Sequence, residues 1–446
     1  MSFLTEPAKQ VPVVYEADVC VVGGSCTGVF AAVRAARLGA RVVIVEKQNR
    51  LGGVACSGLV NIWHSMHDIY FKERIVSGLS EEIVQRLLKQ GAAELSCNVS
   101  TAIRFNPIAL TYELDKLVKE HRIKTYLHTY YAGLKISDEH IDAIWIENKD
   151  GRGAISARFF IDATGDGDLM RDLEIEGYRH AAIQPPSSCF LLKGMTPYEM
   201  ISSLVREHGA EVDLDDDWGW FGHVPGLEGI SFRADNHVFG VDCSRADDRT
   251  EAEFEGRRRA FALEQLLKRY VSDNYGIVCL CSEIGIRETV HYRTRYMANA
   301  GDLLHGKRFT DGILNGTYPI DIHHSEDNGI TFKYLDGSMR IEYGKGSKCI
   351  KSNWRDQEGL TGDPAPYYQV PFNVMVQEKC SNVIAAGRML HADQGAFGAL
   401  RVMINLNQMG EAAGVAAYLS IDGSMPVQQL DGVKVRQLLA RGGSAL

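Results

Sequence analysis

The sequence predicts an α/β fold with a parallel sheet, and three regions support this prediction. Near the start, two valine-rich runs at residues 18–22 and 41–45 flank an alanine-rich helical segment at 29–38. An apolar run at 159–162 enters a turn of small residues, and another at 382–386 ends in glycine ahead of a long helical pattern. Short apolar runs without alternation are typical of strands that are buried on both faces by helices.

Size and composition place the chain among folded proteins. It has 446 residues and a mass of 49.4 kDa, with 45% hydrophobic and 24% charged residues. A chain of this length buries roughly three quarters of its unfolded surface, enough for a large core and more than one domain. The net charge is −9, from 48 Lys and Arg against 57 Asp and Glu. This balance argues against nucleic acid and anionic membranes as partners, because both bind basic faces.

The absence of a recognisable targeting signal and the scattered cysteines favour a cytoplasmic location. No run supplies the roughly 18 consecutive apolar residues of a membrane-spanning helix. The opening MSFLTEPAKQ lacks the basic and apolar regions of a signal peptide. The ten cysteines are scattered, without a CxxC pair or a zinc-like quartet, and most are expected to be buried thiols.

A glycine-rich turn, GGSCTG, joins the first predicted strand to the first predicted helix between Gly23 and Gly28. Such glycines let the backbone approach a pyrophosphate, and the helix N-terminus offers free N–H groups to it. Glu46 ends the next strand, 23 positions after Gly23, where an acid can bind ribose hydroxyls. Ser25 departs from the glycine pattern, but it is small and its hydroxyl suits a phosphate contact. The whole unit predicts a dinucleotide site.

Four motifs follow one another along the chain: the glycine turn with its acid, IDATGDGDLM from Ile161, GIRETVHY from Gly285, and AAGRML from Ala385 followed by QMGEAAGVAA from Gln408. Together they resemble those of FAD-dependent oxidoreductases in the glutathione-reductase-like two-domain flavoprotein superfamily, in the branch with IDATGDGD and GIRET motifs. The likeness covers most of the chain and thins between about residues 194 and 276. It implies an FAD-dependent enzyme with a Rossmann-like domain that combines a parallel sheet, helices and a β-meander.

The resemblance implies non-covalent FAD and a set of residues that bind it. The pyrophosphate would lie on the glycine turn, the adenosine ribose at Glu46, and the adenine along the backbone of Tyr131. Gly387 and Arg388 would flank the ribityl chain, although related flavoproteins often have Asp at the second position. The implied cofactor-binding residues are Gly23, Gly24, Ser25, Thr27, Gly28, Glu46, Lys47, Gly52, Gly53, Tyr131, Ala163, Thr164, Gly165, Asp166, Gly387, Arg388, Val402 and Met403.

The same resemblance implies a discontinuous FAD-binding domain at 1–184 and 367–446. Residues 185–366 would form an inserted α+β domain that covers the substrate, with a charged helix at 249–270 and strands near Ile320 and Ile330. Two charged features of this insert are expected to be solvated: an arginine run among glutamates (Arg257 to Arg259), and an acidic patch without calcium-loop spacing (Asp213, Asp215, Asp216 and Asp217).

Three enzyme classes find no support in the sequence. It has no second glycine-turn unit with its own acid, as a flavoprotein disulfide reductase has for NADPH. Cys279 and Cys281 lie in a probable strand without redox spacing, which argues against that class again. A G-x-S-x-G elbow is absent, so a hydrolase is not expected. A plain NAD dehydrogenase would leave the later motifs without a role.

Flavin chemistry on a polar substrate needs a cation and a proton carrier. Arg287 of the GIRET motif is the first candidate for the cation, with a packing role as its alternative. Arg401, ahead of the helix expected beneath the flavin at Val402 and Met403, is the second, with loop or phosphate anchoring as its alternative. The N-terminus of that helix would stabilise negative charge on the flavin.

Three histidines compete as proton carriers: His64, His323 and His324. Adjacent strand residues point to opposite faces, so at most one of the last two faces a given site. Any one histidine is more often structural than catalytic. A metal site from Asp321, His323 and Asp327 has little support, because the spacing carries no signature; we expect no metal. Covalent flavin attachment through His64 or Cys56 has no motif behind it.

These features predict an FAD-dependent dehydrogenase or oxidase that moves a hydride between flavin N5 and a small polar metabolite, such as a hydroxy acid or a sugar-derived compound. Oxygen or an external acceptor would reoxidise the flavin. Two alternatives stay open: a reductase of an activated alkene, and a non-redox lyase or isomerase that uses FAD structurally.

Overall fold

The structure is a computed structural model that describes residues 3–214, 220–234, 236–325, 329–343 and 348–446. Two predicted features fall partly outside these ranges. Asp215, Asp216 and Asp217 of the acidic patch are not among the described residues, and neither is Asp327 of the alternative metal site.

The strands of the described residues form several sheets. In chain order they are β1 (Val13–Val22), β2 (Val42–Val45), β3 (Ile62–Trp63), β4 (Ala93–Leu95), β5 (Ile103–Phe105), β6 (Lys124–Tyr126), β7 (Tyr130–Ser137), β8 (His140–Asn148), β9 (Gly151–Asp162), β10 (Gly177–Tyr178), β11 (Phe190–Lys193), β12 (Trp220–Val224), β13 (Leu227–Ala234), β14 (Gly276–Leu280), β15 (His291–Tyr292), β16 (Gly312–Gly316), β17 (Ile320–His323), β18 (Gly329–Lys333), β19 (Ser338–Tyr343), β20 (Lys348–Asn353), β21 (Tyr368–Pro371) and β22 (Val383–Ala385).

The α-helices of the described residues lie between these strands. In chain order they are α1 (Cys26–Arg37), α2 (Leu79–Leu88), α3 (Pro107–Glu120), α4 (Asp168–Asp172), α5 (Tyr198–His208), α6 (Ala246–Tyr270), α7 (Ala300–Leu304), α8 (Trp354–Gln357), α9 (Gln394–Leu400), α10 (Met403–Gly423) and α11 (Gly432–Arg441). Among the described residues, no helix has both the length and the apolar character that crossing a bilayer requires.

The largest sheet among the described residues has seven strands. Its order is β6-β2-β1-β9-β8-β7, and β22 adds to β9. The pairs β6–β2, β2–β1, β1–β9 and β9–β22 are parallel, whereas β9–β8 and β8–β7 are antiparallel. The predicted α/β fold with a parallel sheet is therefore confirmed, and the antiparallel part forms a β-meander. Strands from both ends of the chain meet at β9.

Close packing of α10 on α1 fixes one layer over this sheet. A Cβ atom on Gly410 would lie 2.1 Å from the Thr27 carbonyl oxygen, and one on Gly414 would lie 2.2 Å from that of Ala31. Only glycine allows the two helices to approach this closely. Nearby, the buried Arg34 guanidinium pairs with the carboxylate of Glu411 on α10.

Between residues 185 and 366 the chain forms two further four-stranded sheets. One has the order β12-β13-β11-β14, and the other has the order β17-β18-β19-β20. Helix α6 carries the predicted arginine run, in which Arg257 pairs with Glu253 at 3.0 Å and Arg258 pairs with Glu255 at 2.6 Å. Arg257 and Arg258 therefore match the expected solvated face. Arg259 does not, because its side chain is only 12% exposed and donates to the Asn236 side-chain oxygen at 3.2 Å.

Candidate cofactor cleft and active site

One cleft crosses the carboxyl ends of β1, β2 and β9 and the turn after β22. Ligand sites in open α/β sheets form at these strand ends, where the loops leave a crevice. The cleft brings together every predicted cofactor-binding residue except Gly24 and Gly28, which do not line it. Three of the five predicted catalytic residues also line it: His64, Arg287 and Arg401.

The first wall of the cleft is the turn from β1 to α1. Gly23 has φ +106°, and a Cβ atom there would lie 2.2 Å from the Ala163 carbonyl oxygen. A Cβ atom on Gly28 would lie 1.9 Å from the carbonyl oxygen of Gly23. Ser25 caps α1, since its hydroxyl oxygen accepts a hydrogen bond from the Gly28 N–H at 3.4 Å. The departure from glycine at Ser25 is therefore a helix cap.

Glu46 is held by the main chain. One carboxylate oxygen accepts from the Gly24 N–H at 2.6 Å, and the other accepts from the Gln48 N–H at 2.8 Å. The side chain is buried and lines the cleft beside Lys47. The carboxylate thus has a fixed orientation at the end of β2, where ribose recognition places an acid.

The second glycine pair packs directly against the turn from β1 to α1. Gly52 donates its N–H to the Gly24 carbonyl oxygen at 2.8 Å. A Cβ atom on Gly53, at φ +52°, would lie 2.7 Å from the Cβ atom of Ser25. The pair therefore lets two backbones lie in contact.

Thr129, Tyr130 and Tyr131 also line the cleft, next to Glu46, whose carbonyl oxygen accepts from the Thr129 N–H at 3.0 Å. The adenine was predicted to lie here. The Tyr131 hydroxyl donates to the Asp172 carboxylate at 2.8 Å. Burial and this carboxylate raise the pKa of Tyr131. This hydrogen bond ties the Tyr131 side chain to α4.

An ion pair between Arg388 and Asp166 lines the cleft. The Arg388 guanidinium donates to the Asp166 carboxylate, which also accepts from the Thr289 hydroxyl at 2.9 Å. Burial opposes ionisation of Asp166, but Arg388 and Lys47 outweigh it and hold its pKa below the usual value. A Cβ atom on Gly165 would lie 2.1 Å from an Arg388 nitrogen. Arg388 therefore has a partner in the IDATGDGD motif.

Helix α10 begins at Met403, and its N-terminus lies at the cleft together with Val402. No side chain caps this end of the helix. Its first N–H groups therefore present positive potential to the cleft.

Arg287 lines the cleft from the GIRET segment. It donates to the Pro185 carbonyl oxygen at 2.9 Å and to the hydroxyl of Ser187, which also lines the cleft. These contacts hold the guanidinium at the cleft wall. Neither Pro185 nor Ser187 belongs to a recognisable motif, so the sequence offered no signal for them.

Arg401 lines the same part of the cleft and pairs with a buried carboxylate. Its guanidinium lies 3.0 Å from Asp321, which also accepts from the Tyr318 hydroxyl at 2.7 Å and lies 3.3 Å from His323. Burial opposes ionisation of Asp321, yet His323 and Arg401 hold its pKa well below the usual value. The Nε atom of Arg401 has no hydrogen-bond partner among the described residues.

His64 faces the cleft with one ring nitrogen committed. Its Nδ1 atom lies 2.5 Å from the Ser100 carbonyl oxygen, so this nitrogen carries the proton and donates it. The ring lies over Tyr318, with 3.9 Å between ring centres. Burial lowers the pKa of His64 to about 4. The imidazole is therefore neutral at pH 7, with Nε2 as an acceptor.

The other two predicted histidines lie outside the cleft lining. His323 is buried against Asp321, and its ring centre lies 4.8 Å from that of His237. His324 contacts the Thr331 hydroxyl at 2.7 Å. His237 is a buried histidine that the sequence analysis did not single out; burial, together with Arg287 and His323, holds its pKa well below the usual value.

Two of the ten cysteines, Cys26 and Cys189, line the cleft, and both are buried free thiols. Cys56 is buried against Gly52 and does not line the cleft, and burial raises its pKa to about 12. All ten cysteines are free thiols. Cys279 is exposed, whereas Cys281 is buried.

The fold and the cleft define a dinucleotide-binding enzyme, and comparison with known families makes this specific. The profile of the family described as FAD dependent oxidoreductase matches residues 18–439. The chain therefore belongs to this family, as its motifs predicted. It is an FAD-dependent oxidoreductase, and FAD is its cofactor.

Two curated relatives match parts of the chain at 23% and 32% identity. Mitochondrial dihydrolipoyl dehydrogenase from Macaca fascicularis is 23% identical over 378 residues, which span 76% of this chain and 69% of that protein. Its counterpart from Schizosaccharomyces pombe is 32% identical over 165 residues, spanning 34% of this chain and 28% of that protein.

Solved structures with a related arrangement have low sequence identity. A geranylgeranyl bacteriochlorophyll reductase-like protein from Thermoplasma acidophilum is 11% identical with a TM-score of 0.46, covering 96% of this chain and 84% of that one. The p-nitrophenol 4-monooxygenase from Pseudomonas putida DLL-E4 is 12% identical with a TM-score of 0.44, covering 96% and 86%.

The residues of the cleft fit FAD. Bare backbone at Gly23 lets the glycine turn pack against Ala163, bare backbone at Gly53 lets the second turn pack against Ser25, and both glycines have positive φ. This packing shapes the turn on which a pyrophosphate would lie. The Glu46 carboxylate, fixed by two main-chain N–H groups, matches a ribose, and the uncapped start of α10 matches an electron-rich ring. The cleft joins all three positions.

Proposed function

We propose that this chain is a dehydrogenase or oxidase of a small hydroxy acid, and that Arg287 and Arg401 hold the substrate carboxylate. One observation carries this proposal: two arginines and a neutral imidazole, His64, line the same cleft as the cofactor-binding residues. Arginine matches a carboxylate with two parallel N–H donors. The overall reaction converts a hydroxy acid and an oxidised acceptor to an oxo acid and a reduced acceptor.

FAD, when bound, supplies the two-electron chemistry, taking up or returning a hydride equivalent. The chain's own residues would orient the substrate and manage its proton. The His64 Nε2 atom would accept the hydroxyl proton while Nδ1 stays on the Ser100 carbonyl oxygen. A pKa of about 4 makes this a weak base. A bound carboxylate strengthens it, because an opposite charge nearby favours the protonated form.

Asp321 is proposed as a positioning residue. Its carboxylate lies between Arg401, Tyr318 and His323 and is itself buried. A fixed anion behind Arg401 orients the guanidinium without reaching the cleft lining. His323 would act through Asp321, since it does not line the cleft.

The cofactor roles of the individual residues belong to the same proposal. The glycine turn would hold the pyrophosphate, Glu46 the ribose, and the backbone near Tyr131 the adenine. Segments 1–184 and 367–446 would form the FAD-binding domain, with 185–366 inserted over the substrate. Hydrogen exchange measured with and without FAD tests this division, because FAD should protect the first two segments most.

The electron acceptor is proposed to be dioxygen or an external carrier, and the location the cytoplasm. Ten free cysteines suit a reducing compartment. Rates of reoxidation in air and with soluble dyes distinguish the acceptors. Fractionation of producing cells tests the location, and recovery in an oxidising compartment would contradict it.

Anaerobic mixing of the FAD-loaded protein with a panel of hydroxy acids and sugars tests the reaction. Bleaching of the flavin by a hydroxy acid, but not by the matching alcohol without a carboxylate, is the expected result. Reoxidation of chemically reduced enzyme by unsaturated acids, with no bleaching by hydroxy acids, would favour alkene reduction instead. Turnover of a substrate without any flavin absorbance change would favour a non-redox reaction.

A further inference from the structure

A buried cluster of two histidines and a glutamate lies outside the cofactor cleft. Its members are His180, Glu288 and His291, and none of them lines the cleft. The Glu288 and His291 side chains have no exposed surface, and that of His180 is 10% exposed. Glu288 comes from the GIRET motif, but the proposed reaction gives it no role.

Each ring nitrogen in this cluster faces an oxygen atom. Two of them face the same Glu288 oxygen: His180 Nδ1 at 2.6 Å and His291 Nε2 at 3.1 Å. The remaining two face main-chain carbonyls, with His180 Nε2 at 3.0 Å from Ala392 and His291 Nδ1 at 3.0 Å from Leu390. The second Glu288 oxygen accepts from the Gln184 N–H at 3.0 Å.

Protons alone satisfy this arrangement poorly. A neutral imidazole carries one N–H, so two neutral rings would leave two nitrogen lone pairs facing oxygen. With the Glu288 carboxylate ionised, satisfying all four contacts with protons requires two imidazolium rings whose centres are 4.5 Å apart, sharing one carboxylate oxygen in the interior. Like charges at this separation in a buried site are strongly unfavourable.

We propose that His180, Glu288 and His291 bind one divalent transition-metal ion of the Zn²⁺ type. The ion takes the place of the two inner protons, bound by His180 Nδ1, His291 Nε2 and the shared Glu288 oxygen. These three atoms lie within 4.8 Å of one another. Metal–ligand bonds of about 2.0–2.2 Å suit them once the 2.6 Å contact opens. Imidazole and carboxylate ligands favour Zn²⁺ and its neighbours over Mg²⁺ or Ca²⁺.

The outer contacts support a metal site. In metal centres, a ligating histidine usually donates its other N–H to a carbonyl or carboxylate, which fixes the ring and its tautomer. Both histidines here have such a carbonyl, in Ala392 and Leu390. No second group of three potential ligands at this spacing occurs within the described ranges.

The ion would clamp three parts of the chain. His180 follows β10, His291 lies in β15 opposite Tyr178, and the two carbonyls belong to the segment after Arg388. Thr289, next to Glu288, donates to the cofactor-lining Asp166. The ion would therefore support the wall that carries Asp166 and Arg388.

Metal binding to the FAD-loaded full-length protein tests this proposal. After dialysis against a chelator, titration with Zn²⁺ is expected to show one equivalent bound, and Co²⁺ is expected to give visible ligand-field bands. E288Q and H291Q should weaken Zn²⁺ binding by about tenfold or more. The control is H208Q, which changes a histidine that pairs with Glu211 at the surface, at 2.8 Å; its binding should match the wild type.

Two outcomes would overturn the metal site. One is a wild-type protein that takes up no stoichiometric Zn²⁺, and the other is Zn²⁺ binding left unchanged in E288Q and H291Q. If those variants do not fold, X-ray absorption of the wild-type Zn²⁺ complex decides. Two imidazole nitrogens in the metal shell are expected, and a shell of oxygen atoms alone would contradict the proposal.

Discussion

Arg388 donates a hydrogen bond to the carboxylate of Asp166, joining the turn after β22 to the turn after β9 across 222 positions of the chain. The pair is about one-fifth exposed and lines the cofactor cleft. Related flavoproteins often have Asp at the position that Arg388 occupies in this chain. The structure gives the arginine a partner, so the two motifs interact through opposite charges.

Loss of this pair should destabilise the protein. R388A leaves the partly buried Asp166 carboxylate without its strongest neighbouring cation, at a cost of about 1–3 kcal/mol in the free energy of unfolding. Urea unfolding measures this cost. The control R171A removes an exposed arginine beside Asp168 and Asp172 and should cost at most about 1 kcal/mol. Equal losses in the two variants would contradict the account of Arg388.

Removal of the Glu46 carboxylate should weaken FAD binding. E46A leaves the Gly24 and Gln48 N–H groups without their acceptor and removes the proposed ribose contact. The Kd for FAD should rise about tenfold to a hundredfold, measured by flavin fluorescence. E147A, which removes an exposed strand carboxylate paired with Arg152, should leave the Kd unchanged. An unaltered Kd in E46A would remove Glu46 from the site.

A lysine at position 287 should impair substrate reaction while leaving FAD bound. R287K keeps the charge but loses the forked donors that match a carboxylate. We expect kcat/KM for the hydroxy acid to fall about tenfold to a hundredfold with normal flavin content. R295K alters an arginine paired with Glu378 away from the cleft and serves as the control. Full activity in R287K would assign Arg287 to packing.

The low pKa of His64 makes the protein's stability depend on pH. Its pKa is about 4 in the folded chain and about 6.5 when unfolded, so the unfolded chain binds the proton first as pH falls. His64 therefore reduces stability progressively between about pH 6.5 and 4. From pH 7 to 5, the wild type should lose about 1–2 kcal/mol more than H64Q. The same comparison for H305Q, an exposed histidine, should show no such excess.

That comparison uses urea unfolding at both pH values. A wild type and H64Q that lose stability equally would mean that His64 is not neutral and buried as described. Activity supplies a second readout, because His64 is proposed to accept the substrate proton. H64Q should slow flavin reduction at every pH, while H305Q should not.

Helix packing behind the glycine turn should tolerate no side chain at position 410. G410A places a Cβ atom 2.1 Å from the Thr27 carbonyl oxygen and forces α10 away from α1, at a cost of about 1–3 kcal/mol. G276A is the control, because its nearest neighbour would be a Glu264 oxygen at 3.7 Å. Thermal unfolding of both variants measures the difference. Similar melting temperatures would show that the helices are not tightly packed.

The first βαβ unit was predicted well from the sequence because its signals are local. A glycine turn, a capped helix and an acid at the next strand end lie within about thirty residues, and each is required by backbone geometry. The boundaries were less exact: α1 begins at Cys26, three residues before the predicted start, because Ser25 caps it. Strand β1 begins at Val13 because it continues along β9.

The surroundings of Arg287 and His323 could be predicted only in part, because tertiary packing assembles them. Ser187 reaches Arg287 across 100 positions, and His237, which pairs with Ser187 in an isolated β-bridge, packs on His323. No local pattern marks Ser187 or His237. His323 ends β17 and His324 follows it, and their side chains point to opposite faces as expected for adjacent strand residues. His323 packs on Asp321, whereas His324 contacts Thr331.

A substrate carboxylate is proposed to bind at Arg287 and Arg401 beside the flavin. Titration with an anion tests this binding without a known substrate. Oxalate, which is unreactive, is added to the FAD-loaded protein while the flavin absorbance spectrum is recorded. We predict a saturable spectral shift that is weakened in R287K and in R401K but unchanged in R295K. A spectrum that does not respond to oxalate, or responds equally in all variants, would contradict the carboxylate site.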